Sequence, residues 1–198
     1  YETGEQVGIV LDVTALKSEA AEVPAFDAYA LSEDESWAIL KTETTKIYRR
    51  SSASVIWLVD LKSHDARKLR PEKVRSATFS PNGAHVAYVL DNNLFIYDIK
   101  ADKHTRITND GAFNQIINGA TDWVYEEEFA IVKAFWWSPN SESIAFLRFD
   151  ESNVRSFNMD MYGEELYPNP YTFKYPKAGE DNSIVTAHLW NLKSGEIQ

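Results

Sequence analysis

The 198-residue chain has no cysteine. Disulfide staples and thiolate chemistry are therefore excluded, while the compartment stays open, because a chain without thiols folds equally well in oxidising and reducing surroundings. Histidine is scarce: His64, His85, His104 and His188 are scattered with no ligand spacing, so no metal or other cofactor is expected. No apolar run approaches the ~18 residues that a membrane-crossing helix needs. The opening YETGEQVGIV lacks a basic segment followed by an apolar one, so no signal peptide is read there. A start at Tyr1 in place of Met suggests a trimmed or excised segment. Basic residues are outnumbered, 20 Lys and Arg against 30 Asp and Glu, for a net charge of −10. Without a basic face to neutralise phosphates, nucleic-acid binding is not expected. An acidic surface attracts cationic groups such as peptide N-termini, and it also serves plain solubility.

Apolar and aromatic residues are abundant, at 44% and 13% with six Trp, ten Tyr and ten Phe. That composition marks a globular chain and favours β structure, where flat and branched side chains pack on pleated surfaces. Three stretches echo one another: LSEDESWAIL at 31–40, FSPNGAHVAYV at 79–89 and WSPNSESIAFL at 137–147. Each runs from a large apolar residue through Ser and a turn into an apolar-Ala-apolar strand. A second echo follows each first one: VIWLVDLKSHDARKL at 55–69, LFIYDIKADKHTRI at 94–107 and AHLWNLKSGEIQ at 187–198. Each of these is an apolar strand ending in Asp or Asn before a Lys-containing turn.

Two strand types recurring in the same order every ~40–50 residues match the period of a four-stranded β-propeller blade. A β-sandwich with accidental similarity is the alternative. The expected fold is all-β: a partial propeller of about three to four blades, the whole of 1–198 forming part of one ring. The stretch 153–183 is too long for a hairpin turn and carries three Pro and six Tyr or Phe, so it reads as a functional insertion.

The second interval between echoes is longer because it holds TDWVYEEEFA, residues 121–130. Three adjacent carboxylates, Glu126, Glu127 and Glu128, stand among Trp123, Tyr125 and Phe129. In a strand, neighbouring side chains point to opposite faces. For two of them to converge on one cation the segment must be a helical turn, with successive residues about 100° apart. Trp123 and Phe129 would then anchor it on apolar surface. A solvated acidic turn is the plainer alternative.

DWVYEEEF at 122–129, WWSPNSESIAFLRFDES at 136–152 and YPNPYTFKYPKAGEDN at 167–182 closely resemble the dipeptidyl peptidase IV group of serine peptidases in bacterial form. The resemblance implies an eight-bladed propeller beside a C-terminal α/β-hydrolase domain that bears the catalytic Ser, Asp and His. The activity implied is release of N-terminal dipeptides with Pro or Ala in second place. No G-x-S-x-G occurs in these residues, so the nucleophile elbow is absent and no catalytic residue is expected here, Ser138 and His85 included.

By the same resemblance Glu127 and Glu128 hold the free amine of a peptide substrate, and Glu126 takes a structural role, pairing with a nearby cation. The stretch KIYRRSS at 46–52 contributes an arginine to that pocket, Arg49 in preference to Arg50. A pair of exposed strand arginines is the alternative there. The 155–177 insertion corresponds to an arm that helps form a homodimer, with Met159, Met161, Tyr162, Leu166 and Tyr167 as contacts; a loop folded over its own blade is the alternative. A periplasmic or surface location is implied as well. Tripeptide release and a non-catalytic scaffold that binds protein partners remain rival readings.

Overall fold

The computed structural model describes residues 8–18 and 22–198. Residues 1–7, which include the Tyr1 start and most of the segment read as lacking a leader, lie outside the described residues. Among the described residues no helix is long and apolar enough to cross a membrane.

The chain is a partial β-propeller, as the repeats predict. The first blade pairs β1 (Ala28–Leu31), β2 (Trp37–Lys46), β3 (Ser52–Asp60) and β4 (Ala66–Lys68) in sequence order. The second pairs β5 (Arg75–Phe79), β6 (His85–Leu90), β7 (Asn93–Asp98) and β8 (Lys103–Arg106) in the same way. All these pairings are antiparallel.

The third blade departs from the four-strand expectation. Its first strand is split into β9 (Ile116–Asn118) and β10 (Phe135–Trp137), with helix α1 (Trp123–Phe129) between them. Both halves bond the same edge of β11 (Ser143–Asp150). Between β11 and its next partner, β14 (Ile184–Asn191), the chain makes a separate hairpin of β12 (Ser156–Met161) and β13 (Asn169–Lys174). An isolated bridge between Trp190 and Ile197 begins a further pairing beyond β14.

The repeated serine is a turn staple. Ser32, Ser80 and Ser138 each donate a hydroxyl hydrogen bond to the Asp or Asn two residues on, Asp34, Asn82 and Asn140. Each hydroxyl also accepts from the backbone N–H five residues on, at Trp37, His85 and Ser143. The residue three along, Glu35, Gly83 or Ser141, takes positive φ to close the turn. Ser138 is thereby committed to a blade turn, and His85 opens β6.

Blades stack face to face, so their middle strands are buried on both sides and read as continuous apolar runs. In β3, Val55, Trp57 and Val59 face one cluster with Ala38 and Leu40, while Ile56 and Leu58 face the opposite one with Val86 and Tyr88. In β6 the alternate residues Ala87 and Val89 turn to the third blade, meeting Ile117, Phe135, Ile144 and Phe146. On the far face of the third blade the adjacent ladder positions Trp136, Ala145 and Leu189 stay exposed.

Candidate functional site

Helix α1 is a pinched insertion in an inner strand. Gly119 N donates to Leu147 O, Leu147 N to Ala134 O, and Ala134 N to Gly119 O, so the chain leaves and re-enters the blade at one point. Gly119 suits this neck: its φ is +74°, and an added Cβ would sit 3.1 Å from Leu94 Cδ1. Thr121 Oγ1 then donates to Ile131 O at 2.6 Å across the base of the loop.

Asp122 starts the helix as N-cap, its Oδ1 accepting from Tyr125 N at 2.9 Å. Ala130, in the left-handed region at φ 56°, ends it. Of the three glutamates only Glu126 lies in the first turn, where the positive end of the helix favours its charge.

With about 100° between successive residues the three glutamates cannot share one environment. Glu126 is completely buried. Its Oε1 accepts from the backbone N–H groups of Arg50 at 2.7 Å and Ser51 at 2.8 Å, in the β2–β3 loop of the first blade. Its hydrogen-bond partners are thus backbone amides, while the expected nearby cation is Arg75, whose guanidinium feels the Glu126 charge without a hydrogen bond to it. Glu127, half-buried, meets Arg49 from that same loop, with Arg49 Nε 3.2 Å from Glu127 Oε2. Glu128 is exposed and forms no ion pair among the described residues. Arg50 contributes its backbone N–H to the site.

Trp123 anchors the helix as expected, its ring 4.6 Å from that of Tyr175 and 6.2 Å from that of Phe173. Phe129 does not: it is 62% exposed, because the inward position one turn earlier is taken by Tyr125, which packs edge-on against Phe149 at 4.9 Å.

The β12–β13 hairpin pairs only with itself, and its base supports the site through Phe173, which also meets the Tyr48 ring at 6.1 Å. Its tip is solvent-exposed: Tyr162 is 82%, Leu166 91% and Tyr167 77% accessible, and Met159 and Met161 lie exposed along β12. It is a projecting arm and is not folded over its blade.

Residues the sequence did not single out lie beneath the 47–51 loop. A cavity of about 380 Å³ is lined there by Tyr48, Arg75, Asn92, Phe113, Glu151 and Tyr171. Glu127 and Glu128 are not among its lining residues. Burial, and then the neighbouring Asp122 charge, push the Glu151 carboxyl up to about 7. Burial pulls the Arg75 guanidinium down, and the carboxylates of Glu126 and Glu151 oppose that pull. Arg75 Nε and Nη2 and Glu126 Oε2 are shut off from water without a hydrogen-bond partner. The only sequence signal for Arg75 was a charge at the head of an inner strand.

The histidines occupy four separate places. His64 sits in the turn after β3 at φ 62°, His85 lies beside Asp98, His104 bonds Tyr88 Oη, and His188 stacks on Phe146.

Stacked antiparallel blades carrying an acidic helix at one edge define part of a propeller domain. The family described as "Dipeptidyl peptidase IV (DPP IV) N-terminal region" matches residues 32–198, and the chain belongs to it. It is similar to prolyl endopeptidase FAP of Bos taurus, 34% identical over 187 residues, which are 93% of this chain and 24% of that protein. It is also 34% identical over 184 residues to probable dipeptidyl-aminopeptidase B of Chaetomium globosum, covering 85% of this chain and 20% of that one. The crystal structure of Porphyromonas gingivalis dipeptidyl peptidase 4 superposes with a TM-score of 0.93 at 38% identity, over 100% of this chain and 28% of that one. The chain thus spans about a quarter or less of the length of the two curated relatives.

Proposed function

We propose that this chain is the substrate-binding propeller portion of a serine exopeptidase that releases N-terminal dipeptides with Pro or Ala in second position. Glu127 and Glu128 hold the α-ammonium of the peptide, and Arg49 engages a substrate carbonyl oxygen while steadying Glu127. An α-amino group with pKa near ~7.7–8.0 is largely cationic at neutral pH. Carboxylates accept its N–H donors as charge-assisted bonds, and a planar guanidinium serves carbonyl and carboxylate together. Capturing the amine at a fixed place makes the site a ruler that counts residues from the peptide's end. The partner that completes the reaction is an α/β-hydrolase domain of the same protein, within an eight-bladed ring. The arm joins two copies, and the location is the periplasm or cell surface.

The observation that carries this reading is the 3.2 Å contact between Arg49 and Glu127, which brings a cation and a half-buried carboxylate together from two different blades. Its test uses the full-length protein on Gly-Pro reporter peptides with free or acetylated amines. Acetylation removes the cation and should abolish most turnover; equal cleavage of both refutes the clamp. A relative named a prolyl endopeptidase favours a second reading, cleavage after Pro within a chain. The same experiment separates the two, because an endopeptidase accepts the blocked amine.

A further inference from the structure

We propose that Glu126 is the positioning residue of this clamp. By accepting the N–H groups of Arg50 and Ser51 it holds the first-blade loop against helix α1, at the separation that lets Arg49 reach Glu127. The inference rests on the amine-clamp reading above.

The loop has its own internal ties, Ile47 N to Ser51 O at 3.0 Å and Tyr48 N to Ser51 Oγ at 3.2 Å. These fix its shape and not its place relative to the helix. What crosses from the first blade to the third is the Glu126 carboxylate, 76 and 75 residues away in sequence from its two donors. The N–H of Arg50 belongs to the same planar peptide unit as the carbonyl of Arg49. Pinning that N–H therefore orients the residue whose side chain enters the site. Arg49 itself is 72% exposed, so its side chain has no packing to aim it. Tyr48 also meets Phe173 of the arm, which in turn meets Trp123, so this aromatic tie reaches the helix only through the arm.

Burying a carboxylate is costly, and removing an ionic group from a core in favour of an apolar one is often neutral or stabilising. Here only one of the two oxygens is hydrogen-bonded, and the Arg75 guanidinium supplies the opposing charge without a hydrogen-bonded partner of its own. Such an arrangement is a poor way to gain stability and a good way to fix register between two blades.

Reach and charge can be separated in the full-length protein. Glu126→Gln keeps the length and the acceptor oxygen but loses the charge; Glu126→Asp keeps the charge and falls one methylene short of the amides. Two readouts are taken: the kcat/KM ratio for free-amine over acetylated reporter peptide, and hydrogen exchange at the Arg50 and Ser51 amides. If Glu126 positions, Gln retains the ratio within roughly 10-fold, since a neutral acceptor is weaker than a charged one. Asp then loses as much as Arg49→Met, the loss falling on KM for the free-amine substrate, and only Asp exposes the two amides to exchange. Adding Glu126→Asp to Arg49→Met should cost nothing further. A free-amine preference kept by Asp and lost by Gln would mean that Glu126 acts through its charge, and the proposal fails. It also fails if both amides stay protected in the Asp variant. A wild type indifferent to acetylation overturns the clamp and its positioning together, while the exchange pattern still decides whether Glu126 bridges the blades.

Discussion

Ser183 Oγ donates a 2.5 Å hydrogen bond to Asp122 Oδ2, the second oxygen of the carboxylate that caps helix α1. The chain returning from the arm is thus stitched to the start of the glutamate helix. Asp122→Ala removes the cap and this tie, and should cost about 1–2 kcal/mol in urea unfolding. Ser183→Ala should cost about 1 kcal/mol. The double variant should cost less than the sum, because both substitutions delete the same bond; strict additivity would show that the stitch is not formed.

The Glu151 carboxyl holds its proton more tightly in the fold than in the unfolded chain, where its ordinary value is 4.5. Stability from this group is complete below about 4.5 and is lost as pH rises through about 7. Glu151→Gln should therefore flatten the fall in Tm between pH 5 and 8, a difference of about 1–2 kcal/mol after solvent screening. His104, whose pKa is lowered by burial, pulls in the opposite direction, so the wild-type-minus-variant difference is the quantity to follow. A pH profile unchanged by the substitution would place Glu151 in water.

In the full-length protein, Glu127→Gln or Glu128→Gln removes one charge-assisted bond to the amine, about 1.5–3 kcal/mol, hence roughly 10- to 150-fold in kcat/KM. The double change should cost less than the sum, since both carboxylates share one ammonium. The double variant should lose little more on acetylated peptide. If it cleaves free-amine peptides like wild type, the site assignment fails.

Polar replacement of Met161, Tyr162, Leu166 and Tyr167 touches side chains with little or no packing in the chain itself. The stability of the blades should change by less than about 0.5 kcal/mol. Light scattering on the full-length protein should show dimer turning to monomer. An unchanged mass would remove the arm from the interface.

Alanine at the buried Ser32 or Ser80 deletes a staple that both donates and accepts, and should cost about 1–2 kcal/mol each. Ser138→Ala should cost less, because its bond to Asn140 is exposed. Equal costs at all three would mean that burial does not set the value of the turn.

The blades were legible because each leaves a local record. Ser32, Ser80 and Ser138 staple turns within five residues, and two-sided burial turns VIWLV and VAYVL into unbroken apolar runs. The helix was legible in part, since only a helical turn lets adjacent carboxylates share a region. What each glutamate faces was not legible. Glu126 is defined by amides 75 and 76 residues away, and no periodicity reports a contact of that range. Arg75 and Glu151 escaped for the same reason, as charges explained by a cavity that three blades assemble. Phe129 was misread because an aromatic flank looks like an anchor whichever way it points.

The single neck at Leu147 makes helix α1 a detachable cassette: the blade's ladder closes beneath it whatever its length or content. Yet the cassette holds only one side of the Arg49–Glu127 contact, since the arginine comes from a hairpin loop on a neighbour that shares no strand with it. A graft that carried residues 119–134 to another propeller would transplant the acids without their arginine. The transferable unit is the two loops together, and either one can vary while the rest of the wheel stays untouched.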